Sequence, residues 1–244
     1  MHAPTDARPE PLATSPWLPR RLLKLLTAPR DFFADTASLG HRPSLPLAAY
    51  AVGLASAVDR LGVRTIEGSP TSLDNWIADA WLHYWTMALL SGLISAVLIW
   101  YIGGWWYKVR LRWSGAADPD PALARRVYTW QGLVVALPVL AHMLLQTLLY
   151  ADFRAAMQAA GALPVVLLGF AFWSCWTSYA AVTTVFPVDK GKATLWFLVL
   201  PALLLLLLSG TLLVSYLKKT WPSSGPTEEA VVFVQPQCAP SRKV

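Results

Sequence analysis

Charged side chains are scarce in this chain. Asp, Glu, Lys and Arg make up 14% of its 244 residues, where soluble domains hold about 25%. With 55% hydrophobic residues and a mean hydropathy of +0.44, that shortage argues against a soluble globular domain. Cysteine is equally scarce. Cys175 lies inside an apolar run and Cys238 in a polar tail, so a disulfide between them is not expected. The chain has no His-Glu-x-x-His, no Gly-x-Ser-x-Gly and no Gly-x-Gly-x-x-Gly, which removes the commonest protease, hydrolase and dinucleotide signatures. Glu228 and Glu229 sit in the tail, so the apolar runs lack the paired glutamates of a prenyl-protein endopeptidase. Residues 2–19 are polar and proline-rich, without the apolar core of a signal peptide. The first apolar run is therefore expected to act as its own insertion signal.

What the chain does have is long apolar runs, at about Leu45–Leu61, Ala80–Trp105, Val127–Tyr150, Leu163–Val185 and Ala193–Leu217. The last follows a charged turn, Asp189-Lys190-Gly191-Lys192, and contains the unbroken leucines Leu203–Leu208. About 20 such residues cross the hydrocarbon core as a helix. The first run is short before Asp59 and Arg60, and reads as a short span or a re-entrant segment. Basic residues then set orientation. Five crossings put the N-terminal tail (Arg8, Arg20, Arg21, Lys24, Arg30, Arg42), the loop after the second run (Lys108, Arg110, Arg112, Arg125, Arg126) and the last turn (Lys190, Lys192) on one side. That side is the cytoplasm. Arg60, Arg64, Arg154 and the tail beyond Leu217 then face outward, with Lys218 and Lys219 snorkelling to headgroups. The net charge of +6 fits cytoplasmic loops and headgroup contact rather than nucleic acid. Trp76, Trp81 and Trp85 at one end of the second run, and Trp100 to Tyr107 at the other, mark headgroup levels.

The expected fold is an all-α integral membrane helical bundle of about five transmembrane helices, with an N-terminal interfacial amphipathic helix. Residues 1–44 form the cytoplasmic tail, 45–217 the membrane domain and 218–244 a poorly ordered tail in which Val231–Val234 could make a short strand. In Trp17–Leu26, Leu18, Leu22, Leu25 and Leu26 take one helical face and Arg20, Arg21 and Lys24 another, the pattern of a helix in the cytoplasmic interface. Pro29 can open a second short helix carrying Phe32 and Phe33.

Few residues suggest chemistry. Gln131, Pro138, His142 and Gln146 are spaced by seven, four and four and share one helical face. Such a stripe faces a bundle interior, either as a polar pathway or as interhelical hydrogen bonds that fix packing, the latter being the default. Asp79 and His83 are four apart and, with His142, are the only hint of a metal or acid–base site; local pairing at a helix end explains them more simply. Lys190 and Lys192 lack the upstream glycine of a phosphate loop and are read as contacts to lipid phosphates. Ser91, Gly92 and Ser95 offer a helix-contact patch. No catalytic residue, metal ligand or cofactor is assigned.

The order of these segments resembles the Yip family, the Ypt/Rab-interacting membrane proteins and their bacterial relatives. Leu26-Thr27-Ala28-Pro29-Arg30-Asp31-Phe32-Phe33 resembles the proline-then-phenylalanine lead-in of bacterial members. Trp105 to Gly115, Tyr128 to Pro138 and Trp176 to Pro201 resemble the end of the second span, the opening of the third, and the fourth and fifth spans with their turn. The likeness covers about Leu25 to Leu217. The Asp-Leu-Tyr-Gly-Pro motif of eukaryotic members is missing, so Rab binding does not carry over. The resemblance implies a non-enzymatic scaffold that organises membrane proteins or lipids, with lipid and other membrane proteins or copies of itself as the expected partners; the Ala/Leu/Arg/Trp-rich usage and the lack of eukaryotic sorting signals point to a bacterial inner membrane. The alternative is a small transporter or channel using the stripe on the third span.

Overall fold

A computed structural model describes residues 19–35, 44–67, 71–159 and 163–220. These residues are helical throughout, with no strand among them. The expected tail strand at 231–234 lies outside the described residues. In chain order the helices are α1 (Pro19–Thr27), α2 (Pro29–Ala34), α3 (Ser44–Glu67), α4 (Ser72–Asp79), α5 (Trp81–Trp113), α6 (Pro121–Leu149), α7 (Phe153–Ala159), α8 (Leu163–Val185) and α9 (190–220). Four are long and apolar enough to cross a membrane: α5, α6, α8 over Val166–Val185, and α9 over Lys190–Gly210. The chain is thus a multi-pass membrane protein by length and composition. Helices suit that setting because each satisfies its backbone polar groups internally.

Contacts divide the chain into two units, Met1–Leu205 and Leu206–Val244. The described part of the second is helical through Thr220, so Lys218 and Lys219 belong to the helix rather than to the tail. Its Leu206, Leu207 and Leu208 are exposed.

Within the first unit, α3 is one continuous helix of 24 residues, about 36 Å long. It carries Asp59, Arg60, Arg64 and Glu67 and is not among the four apolar helices. It packs along α5 and α6. The seam with α5 is built from small residues: Ala49, Gly53 and Ala57 on α3, and Ala88, Gly92 and Ala96 on α5, all buried. A Cβ added to Gly53 would stand 2.5 Å from the Ala96 nitrogen, and one on Gly92 3.0 Å from the Leu54 Cα. Only glycine permits backbones that close. Gly92 and Ser95 of the expected contact patch are buried there and Ser91 is half-buried.

The helix α5 is longer than its apolar run. It passes through a π-helical stretch, Ile99–Gly103, and continues to Trp113, so Lys108, Arg110 and Arg112 are helical rather than in a loop. Its end is a Schellman motif. Gly115 donates to the Arg112 carbonyl and Ala116 to the Leu111 carbonyl, at 3.0 and 3.1 Å, with Gly115 at φ +92°. Asp120 caps α6 through the Ala122 and Leu123 amides, with Pro121 in the first turn.

Two apolar clusters hold the unit together. The larger gathers Leu25, Phe32 and Phe33 with Tyr107, Trp130, Phe186 and Phe197. The smaller joins Val58, Ile77, Tyr84, Met143 and Phe153. There Tyr84 stacks on Phe153 at 4.4 Å, while Trp81 and Trp85 donate to the Tyr150 carbonyl and the Thr147 hydroxyl at 2.8 and 3.1 Å.

Candidate functional site

The polar stripe runs down α6 as the spacing requires. Gln146 is buried, at 4% exposure, and Gln131 and His142 are half-buried. The Oε1 atoms of Gln131 and Gln146 and the Nδ1 of His142 are enclosed without a hydrogen-bond partner. The helix face is therefore polar and turned inward, but its groups do not bond to facing helices. An enclosed amide oxygen with no donor costs about 1–3 kcal/mol, and structures retain few such atoms.

A second polar cluster lies where α5, α6, α8 and α9 meet, and it starts from a proline. Residues Thr194–Val199 of α9 are π-helical, with the Leu200 amide donating to the Leu195 carbonyl five residues back. The next bond in that pattern would run from residue 201 to the Trp196 carbonyl. Residue 201 is proline, which has no N–H to give. Arg110 of α5 supplies the missing donors. Its Nε reaches the Trp196 oxygen at 3.1 Å, a second guanidinium nitrogen donates to the same oxygen, and its charge sits 4.1 Å above the Phe197 ring. Around it are Tyr107 and Tyr128, in tilted ring contact at 5.6 Å, and Cys175. The Tyr107 and Ser178 hydroxyls are enclosed without a hydrogen bond of good geometry.

Arg110 stood in the sequence only as one of several loop cations. Pro201 and Arg110 are 91 residues apart, and nothing local links them. Space for the cluster comes from Gly103 and Gly104, where any Cβ would collide with the Tyr128 ring or the Arg125 side chain.

The N-terminal cations frame a docked element. The chain folds at Ala28 into α2, which Pro29 opens. Arg21 pairs with Asp35 at 3.1 Å, and the Trp173 indole of α8 donates to the Leu26 carbonyl at 2.7 Å. Phe32 meets Trp130 at 5.9 Å. The apolar face of α1 is thus turned partly into protein, with Leu25 at 0% exposure. Arg20 and Lys24 are exposed.

Lys190 and Lys192 are exposed at the start of α9. Asp189 accepts from the Lys192 amide at 2.8 Å, and its own amide donates to the Ser114 carbonyl at 2.9 Å. The charged turn therefore joins the α5 terminus as well as connecting α8 to α9.

Asp79 and His83 do not come together. Ala80 is extended, φ −153° and ψ 141°, so the two residues belong to different helices and the four-residue spacing no longer places them on one face. Asp79 pairs with Arg154 at 3.3 Å. His83 stacks on Trp76 at 4.1 Å, with its Nδ1 2.9 Å from the Trp76 oxygen. Nearby, Asp74 accepts from the Thr71 hydroxyl and amide at 2.5 and 3.1 Å and pairs with Arg64 at 2.9 Å. These bonds hold its carboxyl below the usual carboxylate range, the Thr71 hydroxyl bond contributing most. Among the described residues no three His, Cys, Asp or Glu side chains gather as a metal site.

The geometry thus offers an unpartnered polar face on α6, a guanidinium clamp between α5 and α9, and a docked basic helix pair. No family model, no curated protein and no solved structure matches this chain.

Proposed function

We propose that the chain is a non-enzymatic, Yip-like integral membrane protein that organises membrane proteins or lipids in a bacterial inner membrane. One observation carries this reading most: the helix pair α1–α2, with its proline and paired phenylalanines, is docked into the bundle through Leu25, Phe32 and Phe33. Its cations Arg20 and Lys24 stay exposed, as a surface for acidic partners or lipid phosphates requires. In this reading α3 is a fifth crossing, supported by its length and its small-residue seam with α5. The N-terminus is then cytoplasmic and the C-terminus outside, with Lys190 and Lys192 meeting cytoplasmic headgroups. The test is isolation from native membranes in mild detergent. A stoichiometric membrane-protein partner or retained anionic phospholipid is expected, and clean protein with neither sinks the proposal.

The alternative, a small transporter or channel, is favoured by the three enclosed, unpartnered atoms on Gln131, His142 and Gln146. Replacing His142 and Gln146 with leucine should then abolish flux in reconstituted vesicles. Flux that survives both changes removes the path from this face.

A further inference from the structure

Arg110 carries a charge that its protein surroundings do not balance. Its neighbours on α5, Lys108 and Arg112, share Asp118 at 3.9 and 3.8 Å. Arg110 has no acidic partner among the described residues. It is half-buried and lies on the Phe197 ring, where a charge drawn from water calls for a counterion or a full set of acceptors. A guanidinium has five N–H groups on three nitrogens. Nε and one terminal nitrogen serve the Trp196 carbonyl; the third nitrogen has no acceptor among the described residues.

Two more donors stand beside it. Tyr107 is one turn before Arg110 on α5 and meets the same Phe197 ring at 5.1 Å. Its hydroxyl lies within reach of Ser178 on α8. Both hydroxyls are enclosed without a well-formed hydrogen bond, in residues only 1% and 3% exposed. Should one donate to the other, an O–H still remains. Cys175, one turn before Ser178, is close enough to Arg110 to feel its charge, which brings that face of α8 to the guanidinium. Donors from two helices, one of them charged, thus meet where no carboxylate is supplied. Water satisfies the hydroxyls but leaves the charge unbalanced. A monovalent anion does both, and a single guanidinium charge matches it.

We propose that this cluster binds one small monovalent anion of chloride size, held by the third guanidinium nitrogen of Arg110 and by the hydroxyls of Tyr107 and Ser178. Such bonds are charge-assisted and stronger than those between neutral groups. The site does not depend on the scaffold reading, and protein that purifies without a partner can still carry it.

The full-length protein is purified in detergent and transferred to gluconate. Its thermal unfolding is then followed as chloride replaces gluconate at constant ionic strength. A ligand held only by the folded state stabilises it in proportion to occupancy, so the melting temperature should climb and saturate with chloride, and likewise with bromide. Tyr107→Phe/Ser178→Ala leaves Arg110 on the Trp196 carbonyl and should need about tenfold more chloride for the same rise, equivalent to ~1.4 kcal/mol. Arg110→Gln should not respond at all. Ser178→Ala alone should shift the response the same way by a smaller factor, so a double variant that fails to fold leaves the test intact. Melting indifferent to the anion, or a chloride response unchanged in both hydroxyl variants, overturns the site. A saturating rise with phosphate and none with chloride also overturns it, and assigns the cluster to a phosphate-bearing ligand instead.

Discussion

Glycines in this chain do unlike things, and single substitutions separate them. Gly53→Val should destabilise the protein by about 1–3 kcal/mol or more, because the new atoms meet Ala96 backbone that cannot move without parting α3 from α5. Gly62→Ala, where an added Cβ finds nothing within 4 Å, should be neutral or gain up to about 1 kcal/mol. Thermal unfolding in detergent compares the two. Asp74 gives a pH signature. Its carboxyl is held below the usual range, so the unfolded chain binds its proton more readily and folding favours the ionised form. The stabilisation is fully present above the ordinary carboxylate value of about 3.9 and fades as pH falls through the lower folded value. Asp74→Asn should therefore lower the melting temperature at neutral pH, and the gap to the unaltered protein should close in strong acid.

At the scale of elements, the bond from Arg110 to the Trp196 carbonyl ties α5 to α9. Arg110→Gln should cost about 2 kcal/mol, the worth of a charge-assisted bond to a group left otherwise unpaired. Arg110→Lys should recover little, since an ammonium lacks the two-pronged geometry. Pro201→Ala should make the arginine less necessary by restoring an amide donor. Melting of the Arg110→Gln/Pro201→Ala pair tests this: a double variant no more stable than Arg110→Gln alone sinks the account.

The elements differ in how far they could be read beforehand. Apolar runs gave α5, α6, α8 and α9 because a bilayer leaves helix as the economical backbone state. The α2 helix followed from Pro29, and the turn before α9 from Asp189. Three features were hidden. The extension of α5 to Trp113 is polar by composition and is held by Tyr107 and Arg110 packing on other helices. The break at Ala80 shows no glycine or proline. The clamp at Trp196 depends on a partner distant in sequence. The stripe on α6 was visible in its spacing, but spacing could not show that its amides would lack donors.

For the whole molecule, the proposed five crossings make a decisive topology experiment. Single cysteines in a Cys175→Ala/Cys238→Ser background, placed at Lys192 and at Gln158, should label from opposite sides of sealed inner-membrane vesicles. A third at Ser69, between α3 and α4, should share the side of Gln158. If α3 does not cross, a reporter at the N-terminus will appear on the Gln158 side rather than with Lys192.

The seam between α3 and α5 bears on how the chain is made. Synthesis delivers α3 before α5, yet α3 has the more charged sequence and a flank of alanine and glycine that attracts lipid poorly. Its best partner, the Ala88–Gly92–Ala96 face, follows it by about twenty to thirty residues and has still to emerge when α3 reaches the bilayer. In the proposed five-span arrangement, commitment of α3 to the bilayer is a late decision, made when α5 arrives to cover that flank. In that arrangement the order of insertion need not follow the order of translation, and the least apolar long helix becomes the one whose placement depends most on its neighbours.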